Sequence, residues 1–204
     1  MTKPRIHLVT YGNDRFANSK LRVLREAKET GWFDSARAFG PEDLPGAFYE
    51  RPHYREISAL PRGGGYWLWK FYFLDICLSE LREGDFLVWC DAGNSINKNG
   101  AARFWEYIDI VNTSEYDVLV GEGLKSWTEF KWTTREIFLA FDVLGNESIT
   151  DTWQIQSGLI IIQKGPNACE CKWTSFSTAS TLSKPVLPTE AQKHSHISLA
   201  NLNG

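Results

Sequence analysis

Apolar residues fall along this chain in short unbroken runs separated by longer periodic stretches, a pattern that predicts strands and helices in turn. Residues 5–10 (RIHLVT) read as a short buried strand closed by the polar turn Tyr11-Gly12-Asn13-Asp14. From Ser19 to Thr30, apolar side chains recur at Leu21, Leu24 and Ala27 among charged ones. Gly31 follows as the stop of an amphipathic helix. The stretch 33–39 is the next predicted strand, Pro41 to Ala47 a proline-bounded loop or short helical turn, and 53–61 is compatible with a short helix. Strand, helix and strand in that order favour a parallel sheet.

The stretch around which the rest is organised runs from Arg62 to Asn97. It opens on Gly63-Gly64-Gly65, whose backbone freedom implies either a close approach of another backbone or a moving loop. A helix follows over about Trp67 to Leu81, apolar on most of its faces, as suits a helix wedged against a sheet. The strand FLVW, residues 86–89, shows no alternation and so is covered on both faces. It stops at Cys90-Asp91-Ala92-Gly93-Asn94, which puts a carboxylate at the carboxyl end of a central strand. Open α/β sheets place their ligands there.

Beyond it the pattern predicts a helix over 101–112, a strand over 116–120 and a surface excursion over 125–134. A helix over 134–144, a strand over 159–163, a turn at 164–166 and a Ser/Thr-rich helix within 168–183 complete the pattern. The expected architecture is one α/β domain over residues 1–204, with a mostly parallel central sheet flanked by helices. The weakly patterned tail suits the first domain of a longer protein.

At 204 residues, 43% hydrophobic and 23% charged, the chain has an ordinary globular composition with material for one buried core. A formal net charge of -3 points to neither nucleic acid nor an anionic membrane as partner. No run approaches the roughly 20 apolar residues of a membrane span, and the N-terminus lacks the apolar core of a signal peptide. Cys77 and Cys90 fall in apolar elements, while the pair Cys169 and Cys171 is too isolated for a zinc site. Reduced thiols in a cytoplasmic setting are expected (the host cytoplasm, for a viral protein). Nine tryptophans are the one departure, since Trp both fills cores and offers flat faces to sugars and bases.

Asp91 is the first candidate for chemistry, because Ala92 and Gly93 beside it leave room for a phosphate–metal pair. The plainer reading is an Asp that starts a turn or caps a helix. Arg62 and Lys70 flank the glycines and suit phosphate oxygens, although Lys70 could equally be the solvated end of its helix. Thr10, Tyr11 and Gly12, at the end of the first strand, are placed to hold a base. Glu122, Glu129 and Asp151 are the acids available as an acceptor base. Asp151 is preferred, since Trp153, Gln154 and neighbouring threonines would accompany it. His194 and His196 form an H-x-H near the end, a candidate metal or phosphate contact.

Tyr11-Gly12 after the first strand, GGGYWLWK at 63–70, GDFLVWCDAG at 84–93, FKWTTRE at 130–136 and TDTWQIQSG at 150–158 together resemble one group of small GT-A glycosyltransferases. The group includes bacterial polysaccharide-synthesis enzymes and a chlorella-virus enzyme, and the similarity covers roughly residues 5–165. It implies a GT-A fold, a nucleotide-sugar donor (most often a UDP-sugar), a glycan acceptor and Mn²⁺ or Mg²⁺. By position Asp91 matches the first acid of the D-x-D metal motif, and the third position is Gly93. The H-x-H-D-Q-S ending of relatives is here His194-Ser195-His196-Ile197-Ser198. The expected activity is metal-assisted glycosyl transfer to a hydroxyl, with Trp127, Trp132 and Trp153 forming part of the acceptor wall. The competing reading is a non-catalytic carbohydrate- or nucleotide-binding domain. A nucleotidyltransferase would want a glycine-rich phosphate loop after the first strand, where only Gly12 stands.

Overall fold

A computed structural model describes residues 3–165, and Cys169, Cys171, His194, His196 and the predicted helix within 168–183 lie outside them. The described chain divides into two compact units, each taken by itself. The first runs to Gly121 and resumes at Ser157; the second is Glu122–Gln156.

The elements in order are β1 (Ile6–Tyr11), α1 (Ala17–Thr30), β2 (Ser35–Phe39), α2 (Gly46–Glu50), α3 (Tyr54–Ser58), α4 (Leu68–Glu80) and β3 (Phe86–Cys90). After them come α5 (Ala101–Thr113), β4 (Val118–Glu122) and β5 (Ile155–Gln163), with three short helical turns between β4 and β5. The α/β class is as expected. Gly31 ends α1 with φ 67, the left-handed position that glycine takes without steric cost. Residues 134–144 form a helix only over Arg135–Ala140, and the last strand starts at Ile155, four residues before the apolar run that marked it.

The five strands of the described residues lie in the order β2-β1-β3-β5-β4. β1 pairs in parallel with β2 and β3, while β5 is antiparallel to β3, with Ile161 opposite Val88. Parity assigns the two faces, because alternate residues of a strand point to opposite sides. Ile6, Phe86, Val88 and Ile161 meet Val111, Phe104 and Ile108 of α5, and Leu8 and Cys90 meet Val23 and Ala27 of α1. On the other face the Tyr11 ring stacks on Trp69 of α4 at 3.7 Å, and Trp69 lies 5.9 Å from Trp89. Helices on both faces explain why β3 is apolar at every position. Cys77 and Cys90 are buried free thiols, and burial raises them to about 11 and about 12. Among the described residues no helix is long and apolar enough to cross a membrane.

The amino ends of β1 and β3 are locked by one carboxylate. Asp85 accepts from the Arg5 backbone N–H at 2.9 Å and from its guanidinium at 3.3 Å, with 6% of its side chain exposed. Desolvation pushes this carboxyl up, but the bonds and charge of Arg5 outweigh it, so the net shift is downward from 3.8. A carboxyl held low in the folded state stabilises above its unfolded value and loses that contribution as pH falls through the folded one. Asp85→Asn should therefore cost about 2 kcal/mol near neutrality. Its urea midpoint should also fall less than that of the wild type between about pH 4 and pH 2.

Candidate active site at the carboxyl ends of β1 and β3

Trp89 and Asp91 are two residues apart where β3 ends, so their side chains leave the same face. The Trp89 indole N–H donates to Asp91 Oδ1 at 2.7 Å, and Lys70 Nζ sits 2.8 Å from that same oxygen. Lys70 also donates to the Ser157 carbonyl at 2.9 Å and lies 5.4 Å from the Trp89 ring centroid. Its side chain is 3% exposed, against 35% for Asp91. Lys70 is thus not the solvated end of its helix: the ammonium points inward and meets its counter-charge there. Both bonds fall on Oδ1 of a side chain that is still about a third exposed. A Cβ built on Gly158 would lie 3.7 Å from Oδ2, so the strand beside it is kept low by a glycine.

The loop that carries Asp91 is clasped from both sides. Asp91 N–H and Asn94 Nδ2 both donate to the Gly158 carbonyl, at 2.9 and 2.8 Å. From α1, Arg22 donates to the carbonyls of Ala92 and Asn94, at 3.1 and 2.9 Å, and to the Ser95 hydroxyl. One helical turn on, Glu26 accepts the Ile96 N–H at 2.7 Å. Ala92 is buried by this arrangement, whereas Gly93 has open space where a side chain would go.

At the end of β1 the expected base-binding residues turn inward. Thr10 is fully buried, with its hydroxyl unpartnered among the described residues. Tyr11 is 9% exposed against Trp69, and burial raises its phenol well above the ordinary range. Gly12 donates to the Phe39 carbonyl at 3.0 Å. A side chain at Gly12 would strike Phe16 Cβ at 2.9 Å, so the chain's own turn is what requires the glycine. Gly63 to Gly65 are no loose loop: Trp69 Nε1 donates to the Gly63 carbonyl at 2.9 Å, and Arg62 lies 5.9 Å from the Trp67 ring centroid.

The second unit holds the remaining candidates. Asp151 is exposed at the end of the short helix Glu147–Thr150. Gln154 Nε2 donates to Glu129 Oε2 at 3.3 Å, and Thr133 donates to that same oxygen. Lys125 Nζ lies 5.2 Å from the Trp153 ring, and Trp127 and Trp132 pack at 5.4 Å. Glu122 is exposed.

Sequence reasoning missed Trp89, Arg22, Glu26, Asn94, Ser157 and Gly158. Trp89 had a legible signal: an indole N–H two residues before a strand-end carboxylate. Arg22 and Glu26 had none, since an i,i+4 ion pair on an exposed helix face is commonplace.

No protein-family model matches the chain, and no curated protein matches it. Among solved structures, it is similar to a glycosyltransferase involved in glycosylation of the major capsid of PBCV-1, with a TM-score of 0.46 and 11% identity. That match covers 88% of this chain and 68% of the other. Galactosyltransferase LgtC, in complex with donor and acceptor sugar analogues, also gives a TM-score of 0.46, at 10% identity. Here 89% of this chain and 66% of the other are covered, so the chain spans about two thirds of the length of either.

Removing one partner of a buried ion pair strands the other. Asp91→Ala should destabilise by about 2–4 kcal/mol, because the enclosed Lys70 ammonium keeps only Ser157. Lys70→Met should cost less, since water reaches the third of Asp91 that is exposed. The double variant should be more stable than the sum of the two losses by about 1 kcal/mol or more. Strictly additive losses in urea unfolding would show that the pair is not coupled.

Proposed function

We propose that the chain is a GT-A-type glycosyltransferase, moving a sugar from a nucleoside-diphosphate sugar, expected to be a UDP-sugar, to a hydroxyl of a glycan acceptor. The observation that carries this reading is the Asp91 carboxylate, anchored through Oδ1 at the carboxyl end of a central strand and still 35% exposed. Ligands of open α/β sheets lie in that place. The quoted motifs at 63–70 and 84–93 fall on the residues that build it.

Mn²⁺ or Mg²⁺ is the proposed cofactor. Among the described residues no group of three or more His, Cys, Asp or Glu could hold a metal by itself. A single available carboxylate oxygen nevertheless fits Mg²⁺-type binding, in which one or two carboxylates, substrate phosphates and water complete the shell. Asp91 would hold the ion; once bound, it would neutralise the diphosphate as it leaves.

The chain's own residues fix where that charge is met. Lys70 and Trp89 set the carboxylate's angle, while Arg22 and Asn94 hold the loop beneath it. Gly93 and Gly158 keep side chains away from the approach. Arg62 is proposed to meet phosphate oxygens, with Thr10, Tyr11 and Gly12 as the packed wall at the end of β1. Asp151 is proposed as the base that takes the acceptor hydroxyl proton, with Trp153 and Gln154 contacting the acceptor.

A panel of nucleotide sugars with Mn²⁺ tests the proposal through release of the nucleoside diphosphate. One donor should be turned over, and Asp91→Asn should lower that rate about a hundredfold or more in protein shown to be folded. Tight binding without turnover of any donor, unchanged by Asp91→Asn, would overturn it in favour of a binding domain.

A further inference from the structure

Arg22 and Glu26 stand on consecutive turns of α1 and pair through Nη1 and Oε1 at 3.4 Å. Such a pair on a helix surface contributes little by itself. On the same helix Arg25 and Glu29 pair with the same spacing, at 3.9 Å, and are 68% and 60% exposed. Arg22 and Glu26 are 29% and 20% exposed, and the difference lies in what they cover. Arg22 Nη2 donates to the carbonyls of Ala92 and Asn94, and its Nη1 to the Ser95 hydroxyl. Glu26 Oε2 accepts the Ile96 N–H.

Backbone groups of three alternate residues, 92, 94 and 96, are thus met by two side chains of one helix rather than by a neighbouring strand. A guanidinium holds several donors in a planar fork, so Arg22 spans two carbonyls and a hydroxyl at once. The loop has need of such bonds. The Asn94 N–H closes a turn on the Asp91 carbonyl at 2.9 Å, and Gly93 inside that turn has open space where a side chain would pack. Side-chain packing therefore does not fix the middle of the turn; hydrogen bonds to its backbone do.

We infer that Arg22, backed by Glu26, is a positioning residue for the Asp91 carboxylate. The inference rests on the reading that Asp91 takes a divalent cation together with the donor's diphosphate. Lys70 and Trp89 pin the carboxylate itself, and the Gly158 carbonyl takes the Asp91 N–H. Arg22 fixes the chain immediately beyond, acting through the peptide groups of the loop. Groups that orient a ligating carboxylate tune cation affinity without touching the cation. Glu26 supplies the opposite charge that holds the guanidinium in place and ties down the far end of the loop at Ile96.

The test is calorimetric titration of the full chain by UDP and by GDP, each with and without Mn²⁺. The comparison gives the gain in nucleotide affinity that depends on the cation, and hydrogen exchange of the amides at 92–96 is followed on the same proteins. Arg22→Met, Arg22→Lys and Glu26→Gln are set against wild type after thermal melts have shown each to be folded, with Arg25→Met as the control on the same helix. Arg22→Met should reduce the cation-dependent gain roughly tenfold and speed exchange at Ile96. Affinity without the cation should not change, and Arg25→Met should match wild type throughout. Arg22→Lys keeps the charge without the fork and should fall between wild type and Arg22→Met, and Glu26→Gln should show a smaller loss in the same direction. Should Arg22→Met fail to fold, these two variants carry the same comparison. An unchanged gain in the folded Arg22 variants would overturn the inference, leaving the clasp a feature of stability and the site at Asp91 standing. An equal loss in Arg25→Met would overturn it as well, since the charge of the helix would then account for the effect. A wild type whose affinity for neither nucleotide rises with Mn²⁺ would bring down both the inference and the reading beneath it.

Discussion

The contact between Lys70 and Asp91 is the constraint on which the rest of this structure depends. An ammonium 2% exposed on an aromatic helix is tolerable only if its charge is met inside the protein. It is met by an Asp91 oxygen at 2.8 Å and a Ser157 carbonyl at 2.9 Å. Those partners follow β3 and lie within β5, while the lysine belongs to α4, so one charge ties three elements together. The same contact consumes one oxygen of the carboxylate and orients the other. Stability and the proposed chemistry thus share one carboxylate, which is why the energetic consequences of changing Asp91 have to be separated from the catalytic ones.

Aromatic packing extends this constraint to the neighbouring strand. Tyr11 on β1 stacks on Trp69, and Trp69 leans on Trp89, whose indole N–H supports Asp91. The rings act as a rigid spacer between the ends of two parallel strands, because dense packing leaves aromatic side chains little room to shift. The glycines at 63–65 serve the same assembly. Gly63 offers its carbonyl to Trp69 and its bare backbone to Trp67, and Gly65 passes so close to Ser58 that a side chain would meet its Cα at 2.6 Å. Either a close approach or a moving loop would account for three glycines in sequence; the structure has the close approach.

Much of the fold was legible because it follows from local pattern. The helices over Ala17–Thr30, Leu68–Glu80 and Ala101–Thr113 and the strand over Phe86–Cys90 lie within a few residues of where periodicity placed them. Gly31 stopped its helix as glycine does. The reversed direction of β5 was not legible, since an apolar run covered on both faces reads alike in either orientation. At the site, Asp91 could be singled out from its place at a strand end, but the inward turn of Lys70 and Tyr11 could not. Arg22 is separated from Ala92 by 70 residues, a distance no spacing rule spans.

The sequence by itself determined which segments are helix and strand, where the central carboxylate falls, and which residue types surround it. Those properties are short-range, set by side-chain periodicity and backbone preference within a few residues. Only the tertiary structure decided which oxygen of Asp91 is taken, that Lys70 faces inward, and which backbone groups Arg22 meets. Each of these depends on groups brought together from distant parts of the chain, and burial is a property of the assembled layers rather than of any residue in them.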